Sequence, residues 1–69
     1  MKVSARNTLE GTVASIKPGA INAEVVIVLP GGAKITSVIT LDALTELKIA
    51  VGSKAFAIIK ASNVIIGVE

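Results

Sequence analysis

Cysteine and histidine are both absent from this chain of 69 residues, and tryptophan and tyrosine are absent with them. Without cysteine there is no disulfide. Without cysteine and histidine there is neither a Cys/His zinc site nor a c-type haem attachment. Any nucleophile–base pair would have to be built from Ser or Thr with Lys, and no such motif stands out. Phe56 is the one aromatic residue. Single-strand nucleic-acid binders stack bases on aromatic platforms worth about 1–3 kcal/mol each, and this chain cannot supply them. The acids Glu10, Glu24, Asp42, Glu46 and Glu69 are dispersed, with no metal-ligand spacing and no paired acid/base arrangement. No catalysis is expected. No apolar run approaches the roughly 18–20 residues that cross a bilayer, and no apolar stretch follows the charges of Met1 to Arg6 as in a signal peptide. The expected compartment is therefore the cytoplasm, with no membrane partner.

What the chain has in quantity is apolar surface. Hydrophobic residues make up 52% of it and mean hydropathy is +0.80, high for the surface of a solvated monomer. Residues 1–69 are expected to form a single domain. A lone core of that size stabilises a chain by no more than about 3–5 kcal/mol, so small domains need a staple. With disulfides and zinc excluded, the remaining staple is oligomerisation, with apolar surface buried between chains. The net charge of +2 favours anions weakly and is no nucleic-acid footprint.

Five strands and one short helix are expected. Residues 3–16 suit an extended segment, with Gly11 marking a bulge or bend. Lys17-Pro18-Gly19-Ala20 is a turn. Residues 21–29 contain the run Val25-Val26-Ile27-Val28-Leu29, which does not alternate and so calls for cover on both faces. Pro30-Gly31-Gly32-Ala33 reads as a hairpin connection rather than a phosphate loop. Residues 34–40 are rich in β-branched side chains. Then Leu41, Leu44 and Leu47 share one helical face, placing a helix at 42–48 with Thr40 or Asp42 as its cap. Strands at 54–60 and 63–68 complete the count. The plan is all-β: a small five-stranded OB-type Greek-key barrel with one short helix between strands 3 and 4.

Hydrogen-bond donors gather near both ends of the chain. Ser4-Ala5-Arg6-Asn7 and Lys60-Ala61-Ser62 hold two hydroxyls, a guanidinium and an ammonium, with no carboxylate in either segment. A tetrahedral dianion needs donors from several directions and partial charge neutralisation. Arg gives a fixed fork, Lys a rotatable charge, and hydroxyls and backbone amides fill the remainder. The segments form one site only if the fold or a neighbouring subunit joins them; taken singly, Arg6 and Lys60 read as solvated charges. Thr40 stands at the helix start, where the amides of Asp42 and Ala43 are available to an anion. The competing reading is that Thr40 merely caps the helix.

Ser4-Ala5-Arg6-Asn7, Gly11, the stretch from Gly19-Ala20-Ile21-Asn22 to Val26, Ile35 to Thr40, and Ile58-Ile59-Lys60-Ala61-Ser62 together closely resemble the Mop family, the molbindins. The resemblance covers essentially the whole chain. It implies an OB-type barrel assembled as a hexamer, a trimer of dimers, that binds molybdate or tungstate between subunits for storage. In such a site Ser4, Ala5, Arg6, Lys60, Ala61 and Ser62 would come from one subunit, and Thr40 and Ala43 from a neighbour. Ala43 stands where relatives often carry Ser. A second anion site near a symmetry axis would use Gly19, Ala20, Ile21 and Asn22. Molybdenum would be held only as its oxyanion, with no direct protein ligand and no covalent cofactor. Two other readings compete: a nucleic-acid-binding OB module, disfavoured by the missing aromatics, and a purely structural oligomerisation module.

Overall fold

The computed structural model describes residues 1–69. Strands β1 (Asn7–Pro18), β2 (Asn22–Val28) and β3 (Lys34–Thr40) lead into helix α1 (Leu41–Glu46), then strand β4 (Lys54–Ile59) and a 3-10 turn over Ala61–Asn63. The strands form one antiparallel sheet in the order β3-β2-β1-β4.

β1 has two partners. Its first half, Asn7 to Thr12, ladders on β4 from Ile59 to Lys54. Its second half ladders on β2, from Thr12↔Val28 to Pro18↔Ala23. A register shift between Val13 and Ser15 follows the handover, and the extra residue sharpens the local twist and curls the sheet. The bulge therefore falls at Ala14, not at Gly11 as the sequence suggested. Gly11 answers a different demand. A Cβ there would lie 2.5 Å from both Ile27 Cγ2 and the Val28 carbonyl oxygen, so only glycine lets β2 lie this close to the bend.

The hairpin between β2 and β3 forms as expected. Gly31 and Gly32 take φ of +94° and +100°, a region open to glycine without steric cost, and the Leu29 amide donates to Ala33 O at 2.7 Å. Thr40 caps α1, its Oγ1 accepting from the Ala43 amide at 3.0 Å. The helix is shorter at its end than the leucine spacing suggested, because Lys48 turns to φ +53° and leads the chain out. Leu44 packs on the core, whereas Leu47 stays 68% exposed.

Val13, Val25, Ile27 and Ala57 form the buried core, with Ile16, Leu29, Ile35, Ile39, Ile49 and Ala55 packed around it. Only 6 of 69 residues are buried, far too few for a chain that is half hydrophobic. A compact protein of 7.0 kDa exposes about 4,000 Å², and this chain exposes 5372 Å². The β2 run is covered on one face, with Val25 and Ile27 buried, and only half-covered at Val26 and Val28.

One element departs from expectation. The strand anticipated at 63–68 joins no sheet within the chain. The Asn63 amide donates to Lys60 O and the Val64 amide to Ala61 O, and this turn sends the chain away from the sheet. Residues 64–69 follow it into solvent. The all-β, OB-type plan holds, but the single chain is a curled, open sheet of four strands rather than a closed barrel of five.

Candidate functional site

The antiparallel register of β1 and β4 decides where the two donor-rich segments go. Asn7, the first residue of β1, lies opposite Ile59, the last of β4. Ser4, Ala5 and Arg6 come just before that pair, and Lys60, Ala61 and Ser62 just after it. Segments more than fifty residues apart in sequence therefore emerge side by side from one end of the sheet. The Asn7 side chain fastens them, its Nδ2 donating to the Ile59 carbonyl at 3.1 Å from a half-buried position. Sequence reasoning gave Asn7 no role of its own; its one signal was a polar amide at the start of an otherwise β-prone stretch.

Arg6 and Lys60 are exposed, and neither has a carboxylate partner. The one ion pair in the chain is Lys54 with Glu10, at 4.0 Å between exposed side chains. Ser4 and Ser62 are exposed beside the two cations, and Ala5 is half-covered. Ala61 and Ser62 open the 3-10 turn, and the first amides of such a turn have no partner within it. This end of the sheet thus presents a guanidinium, an ammonium, two hydroxyls and free amides, and no acid.

Thr40 and Ala43 lie elsewhere. Thr40 pairs with Asn22 at the far end of the β2–β3 ladder, close to where β1 ends at Pro18 opposite Ala23. The Gly19–Asn22 turn sits against this helix start. The Leu41 amide donates to Ile21 O at 2.9 Å, and the Gly19 amide to Asn22 O at 2.7 Å. Ala20, Ile21, Thr40, Leu41 and Asp42 line a shallow hollow there. The two groups of predicted site residues are therefore separated by the length of β1, 12 residues with a contour of roughly 36–40 Å. The expectation of a free Ala43 amide is not met in the single chain, because the Thr40 hydroxyl already accepts from it. Thr40 Oγ1 keeps its own proton to donate outward. Asp42, whose carboxylate would compete with an anion, is exposed.

No group of three or more acidic side chains is placed to hold a metal ion, and no helix is long and apolar enough to cross a membrane. Chemically, the β1/β4 end is rich in donors and free of acids, a surface suited to an oxyanion. Within one chain its charged and hydroxyl side chains are exposed rather than enclosed.

Comparison with known proteins identifies the family. The TOBE domain profile matches residues 3–66. A probable molybdenum-pterin-binding protein of Haemophilus influenzae is 51% identical over 69 residues, which is 100% of both chains. The solved structure of MopII from Clostridium pasteurianum (apo2) superposes with a TM-score of 0.91 at 43% identity, covering 97% of this chain and 100% of that one. A structure of the cytoplasmic molybdate-binding protein ModG, with molybdate bound, superposes with a TM-score of 0.96 at 54% identity. That match covers 100% of this chain and 49% of ModG. Whole-length identity, an OB-type sheet and the paired donor segments converge, and the chain belongs to the TOBE-domain family as one of its Mop proteins.

Proposed function

We propose that this protein binds molybdate, and tungstate by the same contacts, between copies of itself, as a store within the cell and without catalysis. The carrying observation is the Asn7↔Ile59 pairing, which sets Arg6 and Lys60 at one end of the sheet with no acid to neutralise them. Molybdenum-pterin-binding and molybdate-bound relatives support an oxyanion of this metal as the ligand. In this reading Arg6 and Lys60 offset the charge of the dianion. Ser4 and Ser62 donate hydroxyl hydrogen bonds, and backbone amides at Ala5 and Ala61 fill the gaps. The open side is closed by a neighbouring copy bringing the Thr40 hydroxyl, with Ala43 holding that hydroxyl in place. A trimer of dimers supplies such neighbours around every site. The Gly19–Asn22 turn, packed against the same helix start, is the second place proposed for an anion, near a symmetry axis.

The test is a calorimetric titration of anion-stripped protein with molybdate, run with and without excess sulfate. Saturable binding that survives sulfate is expected. Arg6→Ala and Lys60→Ala each remove a charge-assisted donor worth about 1.5–3 kcal/mol, so each should weaken binding by about 10-fold or more. Neither substitution orphans a carboxylate, so the assembly should keep its size. Unchanged affinity in both variants would remove these residues from the site; no binding by the parent protein would remove the function.

A further inference from the structure

The one aromatic residue of the chain, Phe56, does not stand in the core. It lies opposite Glu10 in the β1–β4 ladder, and Lys54 on the same strand lies opposite Thr12. Directly opposed residues of antiparallel strands stand on the same face, so Glu10, Thr12, Lys54 and Phe56 share one side of the sheet. The core takes the other side, where Gly11, Val13 and Ala57 are buried. We infer that the outer face binds a flat heterocycle stacked on Phe56 and read along its edge by Glu10 and Lys54. The edge that fits is the 2-amino-4-oxopyrimidine pattern shared by guanines and pterins.

Phe56 leaves 41% of its surface in water and so forgoes much of the burial that an aromatic ring offers. The two charges beside it are uncommitted. The Lys54 ammonium is 4.0 Å from the Glu10 carboxylate, with side chains 66% and 60% exposed. It stands 6.0 Å from the centroid of the Phe56 ring. Both contacts are at the outer limit of their kind, so either charge can turn to a ligand at little cost. Next to the pair the sheet opens into a hollow of about 400 Å³, lined by Glu10, Gly11, Thr12, Leu29, Pro30 and Lys54. Small-molecule sites occupy roughly 300–1,000 Å³. The hollow has a cause in the sequence. The β1–β2 ladder reaches Thr12↔Val28, and its next pair in phase would set Glu10 against Pro30, which has no amide to continue the ladder.

The side chains select the ligand. A carboxylate accepts and an ammonium donates. Standing side by side, they match an edge that carries a carbonyl next to a ring N–H and an amino group. Lys54 donates to the carbonyl, and Glu10 accepts from the two nitrogens. Adenine fails this match, because its ring nitrogen presents an acceptor where Glu10 needs a donor. One aromatic platform cannot track a nucleic-acid strand, but it seats a single ring, and stacking of this kind is sequence-tolerant. Discrimination therefore falls to Glu10 and Lys54. Neither Arg6 nor Lys60 takes part, so the inference goes beyond the oxyanion reading and does not rest on it.

The test uses neutral ligands, so that bare charge attraction contributes nothing. Full-length nitrogen-15-labelled protein in excess molybdate is titrated with guanosine, pterin, inosine and adenosine, and amide shifts are followed by NMR. Guanosine or pterin should bind saturably and move the amides of Gly11, Thr12, Lys54 and Phe56; the tighter of the two identifies the ring system. Inosine, which lacks the amino group, and adenosine should each bind about 10-fold more weakly or not at all. Phe56→Leu keeps an apolar side chain and Glu10→Gln changes an exposed one, so both variants should fold. Each should weaken binding by about 10-fold or more. Equal affinity for guanosine and adenosine would overturn the edge recognition. Shifts confined to other strands, or affinities unchanged in both variants, would move the ligand off this face. No saturable binding of either guanosine or pterin would remove the site.

Discussion

Gly11→Ala is the sharpest test of how the bend in β1 is built. The added methyl would lie 2.5 Å from Ile27 Cγ2 and from the Val28 carbonyl, and 3.2 Å from Leu29 Cδ2. Carbon contacts are comfortable at about 3.5–4.0 Å, so β1 and β2 would have to part by about 1 Å at their closest point. Rotamer changes cannot relieve the clash, because one of the two closest atoms is backbone and Val28 is laddered to both Thr12 and Lys34. Overpacking of this kind costs about 1–3 kcal/mol. The stiffer unfolded chain returns about 0.4–1 kcal/mol when Ala replaces Gly, leaving a net loss of about 1–2 kcal/mol. In a domain of this size each kcal/mol moves Tm by about 4–8 °C, so a fall of about 5–15 °C is expected. Circular dichroism melts must be run at one protein concentration, since any assembly would make Tm concentration-dependent. Glu10→Ala is the control on the same strand. Its pair with Lys54 spans 4.0 Å between exposed groups and contributes little, so its Tm should stay within a few degrees. A Gly11→Ala protein that melts at or above the parent would refute the close-approach argument.

Two further outcomes follow from the site. Asn7→Ala removes the bond that ties the two donor segments, worth about 0.5–1.5 kcal/mol. Titration should show molybdate binding weakened about 2- to 10-fold, and an unchanged affinity would make Asn7 a strand residue only. Thr40→Val deletes the α1 cap at a cost of about 1 kcal/mol, whereas Thr40→Ser preserves it. If a neighbour's Thr40 faces the anion, the Val variant should lose affinity and the Ser variant should keep most of it; equal affinities would exclude the hydroxyl.

Local chemistry made much of this fold legible before any coordinates. Gly31-Gly32 demanded a positive-φ hairpin, and Thr40 ahead of a leucine-spaced segment demanded a capped helix; both are present. The donor pattern was legible too, because its residues are unusual company in an apolar chain. What sequence could not give was anything set by one strand crossing another. Gly11 looks like a bulge marker, yet the reason for it is Ile27 and Val28, sixteen and seventeen residues away. The Ala43 amide looks free at a helix start until the Thr40 rotamer is known. Residues 63–68 carry a sound strand pattern, but the pattern does not say which strand pairs with it, and within the chain none does. The same limit hid the distance between Thr40 and Lys60, which only the register of β1 reveals.

That distance has a thermodynamic consequence. In the proposed reading the two groups of site residues, at opposite ends of β1, meet around an anion only when copies of the chain meet, so ligand binding and assembly would be linked equilibria. Each must strengthen the other by the same free energy. The apparent Kd for molybdate would then fall as protein concentration rises, and dilution below the assembly threshold would release the anion with no change in any side chain. A cell could set how tightly the metal is held through the amount of protein it makes.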